Sequence, residues 1–402
     1  MFKGALPGFR DFYPQELAER AFIMNTWRDV ARRYAFVEYD GPPLEPLDLY
    51  TKKSGDEIVA QLYNFVDKGG RDVALRPEMT PTVARMVASR ANALRKPVRW
   101  FSMPQLFRYE RQQKGRLREH YQLNVDIFGS SDVAADAELV ACAVDMMRAF
   151  SLTSSDVVVR VSDRRILQAF LESLGVPAGA ITRVYGVIDK LDRTPAEVSA
   201  EKLAALGVSA EAIDRIVTIA SVGLAEVKER LAGSPAAVHA DEFERYLAYS
   251  SALLGGDASW LELDLSIVRG LAYYTGIVFE LFDRSGEFRA ICGGGRYDTL
   301  LQSLGGADMP ALGFGMGDVV LGELLRSKGL MRPADTAAEY WLAAAETTPI
   351  EQVMSEASRR RAAGHSVEYA LRPQSLSKQK KAAQASGAKE FVTLSNDDAP
   401  NG

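Results

Sequence analysis

Thiols and imidazoles are scarce in this chain. Two cysteines, Cys142 and Cys292, stand among 402 residues, and neither belongs to a CxxC pair. They cannot build a disulfide framework, and such thin usage fits a reducing compartment. The three histidines, His120, His239 and His365, are too scattered for metal-ligand spacing, so no metal is expected from a protein motif. No apolar run approaches the roughly 18 residues of a membrane-spanning helix. The N-terminus, MFKGALPGFRDFYP, lacks the apolar stretch of a secretory signal. The expectation is a cytoplasmic protein without membrane association. No GxxxxGK[ST] phosphate loop occurs, and the glycine cluster CGGGRYD does not fit the dinucleotide-binding GxGxxG. A formal net charge of -5 argues against a surface that binds nucleic acid non-specifically. It leaves room for a local basic site.

What is present is an ordinary globular composition, 47% hydrophobic and 25% charged, at a length suited to two or three domains. QELAERAFIMNTWRDVARRY (16–35) spaces apolar residues as a helix does. AFVEYDGPPLEPLDLY reads as an extended run broken by Pro42, Pro43 and Pro46. QLYNFVDKGGRDVALRPEMT predicts a hairpin turning at Gly69–Gly70 that leads into a helix from about Thr80. VRWFSMPQLFRYE and HYQLNVDIFG predict two antiparallel strands joined by the basic loop RQQKGRLRE. A helix over 133–150, the strand DVVVRVSD and a helix closed by Gly175 follow. From 178 to 258 Ala, Glu, Leu and Lys dominate with helical periodicity, which reads as a helical insertion. Strand signals resume at WLELDLSIVRG, AYYTGIVFELFD, FRAICGGGRYD and LGFGMG. Beyond 331 strands and helices alternate, as in a small α/β domain with a parallel sheet.

Five cations, Arg108, Arg111, Lys114, Arg116 and Arg118, crowd one short stretch of this acidic chain. A solvated hairpin has the same charge pattern. So has a nucleoside triphosphate site, in which an arginine fork takes phosphate and Glu110, on the face of Arg108, accepts from an adenine amino group. In SIVRGLAYYTGIVFE, Arg269 sits among apolar residues, where burial is costly without an anionic partner. It reads either as an edge-strand arginine beside core tyrosines or as a cation facing developing charge, with Tyr273 and Tyr274 on a polar ligand. Gly293, Gly294 and Gly295 permit close backbone approach, or simply turn a strand. Glu78 suits an ammonium group, and Thr80 suits the same ligand or a helix cap. Gln122, Asn124 and Asp126 share one strand face by the period of two, facing solvent or lining a polar pocket.

Together these motifs resemble the histidyl-tRNA synthetases, a family of class II aminoacyl-tRNA synthetases. FRYERQQKGRLRE is similar to class II motif 2; VRGLAYYTG and GGGRYD resemble the two histidine-specific signatures. LRPEMT resembles the segment that holds the substrate amino group, and PGFRDFYP the N-terminal signature. Helix 16–35 with its proline-rich strand resembles motif 1, the dimer interface. The resemblance spans essentially the whole chain. It implies an α+β fold: an antiparallel class II sheet core with flanking helices, a helical insertion and a small C-terminal α/β domain. The core would fill 1–177 and 259–330, the insertion 178–258 and an anticodon-binding-like domain 331–402. It implies ATP as substrate, with Mg2+ accompanying it, and L-histidine and tRNA(His) as partners of a homodimer. Arg108 would hold the α-phosphate and Glu110 the adenine. Arg269 would sit between carboxylate and phosphate. Glu78, Thr80 and Gln122 would bind the amino group; Asp126, Tyr274 and Tyr273 would read the imidazole.

Three departures from the family pattern stand out. Motif 3 normally ends in an arginine for the ATP γ-phosphate. Here LGFGMGDVVLGELL carries Asp318, Val319 and Val320, and the next arginine is Arg326. The triphosphate tail would then be held by Arg116 or Arg118, or not held at all. His120 takes the aromatic adenine-stacking position. After AKEFVTL the chain stops where the family continues with further strands and a helix, which implies a longer chain or weakened anticodon reading. The alternative is the non-catalytic, synthetase-like regulatory subunit of ATP phosphoribosyltransferase. The altered motif 3 favours it; retention of Arg108, Arg269, Glu78, Gln122 and Asp126 opposes it.

Overall fold

The computed structural model describes residues 4–54, 61–109, 115, 117–268, 273–332 and 337–394. Its first helix, Pro14–Arg33, buries Ile23, Trp27, Val30 and Ala31, an apolar stripe at helical spacing. Strands β1 (Val37–Glu38), β2 (Leu44–Pro46), β3 (Asn64–Val66) and β4 (Asp72–Leu75) follow. β3 and β4 form the expected hairpin. Its turn places Gly70 at φ +76°, and the Asp67 carboxylate accepts from the Gly69 and Arg71 amides. β5 (Val98–Ser102), β6 (Gln105–Phe107) and β7 (Glu119–Phe128) come next. The run VRWFSMPQLFRYE is therefore two strands, not one. Pro104, which has no N–H for the ladder, separates them. Both pair antiparallel with β7.

The helix Val133–Ala149, capped by the Asp132 side chain, buries twelve residues and joins the main core. Each large apolar side chain so buried contributes roughly 1.5–3 kcal/mol. β8 (Val157–Asp163) and the helix Arg164–Ser173 precede the insertion. As expected from its composition, the insertion is helical, from Ile181–Ile188 to Ala237–Leu253. WLELDLSIVRG yields only the short β9 (Leu261–Leu263), because the Asp264 carboxylate takes the Ser266 amide and turns the chain. β10 (Ile277–Asp283), β11 (Cys292–Arg296) and β12 (Ala311–Gly317) complete the core.

The main sheet runs β1-β5-β7-β12-β11-β10-β8-β9, with β6 added on β7. Among the described residues its interior pairs are antiparallel, and the outer pairs β1·β5 and β8·β9 are parallel. This order sets the motif 2 strand β7 against the glycine-rich strands. Gly313 lies opposite Asp126, Gly315 opposite Asn124 and Gly317 opposite Gln122.

The chain divides into two compact units, with a break after Arg332. In the second, β13 (Tyr340–Ala344), β14 (Val367–Tyr369) and β15 (Glu390–Leu394) form the expected parallel sheet, in the order β14-β13-β15. The helices Ile350–Ala362 and Leu376–Ser386 make its crossovers.

Candidate active site

Glycines open the floor of a cleft of about 210 Å³ over β7, β11 and β12. A Cβ on Gly313 would fall 2.1 Å from Asp126 Oδ1, and one on Gly315 would fall 2.8 Å from the Gln122 side chain. The missing side chains of β12 are thus the space in which those two polar groups lie. Cys292 and Gly293 of CGGGRYD line the same cleft as Gly315 and Gly317 of GFGMG, on the neighbouring strand.

Arg108, His120, Gln122, Cys292, Val319 and Val320 are among the side chains lining the cleft. Arg108 is anchored by its amide on Arg118 O (2.9 Å) and by Nε donating to Pro77 O (3.0 Å). Burial, with the charges of Arg108 and Arg10, pushes the His120 imidazole down to about 3. His120 is therefore neutral near pH 7, and its ring presents a flat, uncharged face.

Glu78 is buried and accepts from the Tyr273 hydroxyl at 3.3 Å. Burial raises its carboxyl above the usual range, against the pull of Arg108 and Tyr273. The helix Thr80–Ser89 has Met79 at its cap position, so Thr80 is its first helical residue and not its cap. Asp126 is buried, accepts from the Tyr297 hydroxyl through Oδ1, and has no partner for Oδ2 among the described residues. Burial pushes its carboxyl up to about 7, with the Tyr297 bond opposing. The Tyr273 ring lies 5.0 Å from that of Tyr274, tilted by 46°, and meets Tyr297 edge-on at 5.8 Å. Of Gln122, Asn124 and Asp126, the first lines the cleft and the other two are buried, so this strand face is turned away from solvent.

Other expected residues stand elsewhere. Arg269, Glu110 and Arg116, with Arg111 and Lys114, lie outside the described residues. The Arg118 guanidinium stacks 4.2 Å from the Tyr109 ring, and its amide donates to Gly8 O at 2.9 Å. Arg326, the next arginine after the altered motif 3, pairs with Glu19 at 2.7 Å on the surface. Arg296 of GGGRYD is structural: it pairs with Asp136 and donates to Ser130 O.

Sequence reasoning missed Arg10 and Tyr297. Arg10 joins Glu119 (2.7 Å) and Asp318 (2.9 Å), and Asp318 also accepts from the Tyr121 amide (2.9 Å). Asp318 therefore ties the N-terminal signature to β7 on both sides of His120. Val319 and Val320, the next two residues, line the cleft. Among the described residues no group of three His, Cys, Asp or Glu side chains could hold a metal ion.

Solved structures share this fold. The crystal structure of histidyl-tRNA synthetase from Nostoc sp. PCC 7120 matches with a TM-score of 0.85 at 24% identity, covering 99% of this chain and 93% of that one. An ATP phosphoribosyltransferase regulatory subunit/histidyl-tRNA synthetase from Bacillus halodurans C matches with a TM-score of 0.79 at 22% identity, covering 98% of each. The fold is that of a class II aminoacyl-tRNA synthetase. A family model described as histidyl-tRNA synthetase matches residues 8–317. The histidine–tRNA ligase of Opitutus terrae is 44% identical over 96% of this chain and 89% of its own length. That of Thermoplasma volcanium is 39% identical over 98% and 92%. The chain belongs to the histidyl-tRNA synthetase family.

Proposed function

We propose that this chain is a histidine–tRNA ligase. It activates L-histidine with ATP and passes the histidyl group to the 3′ end of tRNA(His). The observation that carries this is the buried Asp126 carboxylate, one oxygen held by Tyr297 and the other unpartnered among the described residues, in the strand that also brings Gln122 and His120 to the cleft of Arg108. A carboxylate is the acceptor that an imidazole N–H needs once buried.

The histidine carboxylate oxygen forms a bond to the α-phosphorus of ATP. The bond from that phosphorus to the bridging oxygen breaks, and pyrophosphate leaves with its electron pair. A tRNA hydroxyl oxygen then bonds to the activated carbonyl carbon, the bond from that carbon to the phosphate oxygen breaks, AMP leaves with the electron pair, and the hydroxyl proton passes to a phosphate oxygen of the departing AMP. Arg108 holds the α-phosphate, and Arg269 offsets charge as the carboxylate attacks. Neutral His120 lies on the adenine, and Glu110 accepts from its amino group. Glu78, Thr80 and Gln122 bind the ammonium; Asp126 reads the ring from one side and Tyr274, with Tyr273, from the other. Val319 and Val320 bring no cation to their wall, so the triphosphate tail falls to Arg116, ahead of Arg118, which already stacks on Tyr109. Mg2+ would arrive with ATP, ligated by its phosphates and water.

The catalytic core comprises 1–177 and 259–330. The insertion 178–258 meets the acceptor stem, and 331–402 meets the anticodon. The exposed Val37, Leu44, Phe65 and Val66, near the motif 1 segment, suit a homodimer interface. The protein works in the cytoplasm.

Histidine-dependent exchange of pyrophosphate into ATP tests the reading. Exchange at saturating histidine supports it, and no exchange refutes it. The altered motif 3 favours the regulatory-subunit reading, which expects histidine binding without exchange.

A further inference from the structure

Tyr297 follows the glycine run of β11 and donates its hydroxyl to Asp126. We propose that it is a positioning residue for substrate selection: it pins Asp126 Oδ1 so that Oδ2 faces the substrate ring as a one-sided acceptor. The inference rests on the histidine site proposed above and deepens it.

Four observations converge. The Tyr297 hydroxyl donates to Asp126 Oδ1, and both residues are buried. The Tyr297 ring cannot swing away: Phe128 meets it edge-on at 6.4 Å and Tyr273 at 5.8 Å, while its amide donates to Ala311 O at 2.7 Å. On the opposite strand, Gly313 leaves room for Oδ1 that any Cβ would fill. Oδ2 is buried and unpartnered among the described residues. Among the described residues, the ionisable side chains that act on Asp126 are phenols, Tyr297 and Tyr39, and neither supplies a compensating cation.

The chemistry follows from the count of lone pairs. A free carboxylate offers two equivalent oxygens and can rotate to present either. With Oδ1 held by a phenol and closely walled by the backbone at Gly313, the carboxylate is fixed in one orientation, and Oδ2 is the oxygen left without a donor among the described residues. A ring carrying an N–H satisfies it. A ring of the same size without an N–H leaves a buried carboxylate oxygen unpaired and is rejected. Selection among rings thus depends on Tyr297 as well as on Asp126.

The test is Tyr297→Phe, which keeps the ring and its packing. Direct calorimetric binding of L-histidine is measured beside pyrophosphate exchange. The competitor is 2-thienylalanine, whose ring has no N–H. The expected result is a loss of histidine affinity of about 10- to 100-fold, the weight of one charge-assisted hydrogen bond. ATP KM stays within about 3-fold, and the histidine to thienylalanine preference falls by at least about 10-fold. In an Asp126→Asn background the same change adds little, because the group it positions is gone. Gly313→Ala, which displaces Oδ1 from the opposite strand, lowers the same preference. Equal losses for histidine and ATP, an unchanged preference, or full additivity with Asp126→Asn overturns the proposal. Wild-type histidine binding without exchange defeats the ligase reading alone, since the binding comparison still decides the role of Tyr297. No wild-type histidine binding defeats both.

Discussion

Arg10→Met removes a cation shared by two buried carboxylates. Glu119 and Asp318 are 1% and 4% exposed at their side chains, and Arg10 is 26% exposed. Methionine keeps much of the aliphatic stem, so the loss is electrostatic. Stripping one partner from a buried pair costs about 3–5 kcal/mol. Two donors survive: Gln105 Nε2 on Glu119 at 2.8 Å and the Tyr121 amide on Asp318 at 2.9 Å. They place the effect near the lower end, about 3 kcal/mol. Unfolding entropy of about 2.1 cal/mol/K per residue, over the unit that holds Glu19–Arg332, turns this into a fall in Tm of about 4–5 °C.

The pH dependence separates this account from simple loss of packing. Burial already raises the Asp318 carboxyl, and Arg10 is the main influence holding it down. A carboxyl raised in the folded state is a cost above its folded value, relieved as pH falls through that value. Without Arg10 the folded value rises further. The Tm deficit of Arg10→Met should therefore be largest near pH 8 and shrink toward about pH 5. Differential scanning calorimetry across that range is the assay. A Tm unchanged at pH 8, or a deficit that grows on acidification, refutes the reasoning. The same variant loosens β7 beside His120, so ATP KM should rise by about 10-fold.

Three further outcomes follow from the same geometry. Val320→Arg places a cation on the bare wall of the cleft, beside Gly115; it should lower ATP KM by a few-fold, read by exchange kinetics, and an increase would show that the wall must stay apolar. His120 is held near 3 against an ordinary 6.5, so the unfolded chain takes up a proton that the folded one refuses, and stability falls as pH drops below about 6.5. His120→Phe should remove that loss, which a Tm comparison at pH 7 and pH 5 checks. Gly315→Ala drives a methyl toward Gln122 and should raise histidine KM by at least about 10-fold while leaving Tm within a few degrees, since Gln122 is a side chain that can yield.

Local pattern carried the elements, and long-range pairing carried what the pattern missed. The hairpin at Gly69–Gly70, the helical insertion and the C-terminal parallel sheet were all legible, because turn chemistry and periodicity act within a few residues. Pro104 was legible too, yet the run around it was read as one strand. Its apolar content hid the break that a missing N–H imposes. The strand read through WLELDLSIVRG failed for a similar reason: the Asp264 turn depends on one side chain accepting one amide. For the site, Gln122 and Asp126 could be placed on one face by period alone. What the period could not supply was the strand opposite, and hence why glycines stand at 313 and 315. Arg10 and Tyr297 illustrate the general limit. Arg10 reaches Asp318 across 308 residues, and Tyr297 reaches Asp126 across 171. Neither partner is marked locally, for an arginine near a terminus and a tyrosine after a glycine run both have ordinary surface or core roles. The motif 3 region makes the point sharpest. Read along the chain, Asp318 is a carboxylate where the resemblance leads one to expect a phosphate-binding arginine nearby. In the fold, its carboxylate is the anchor of Arg10 and the acceptor of the Tyr121 amide.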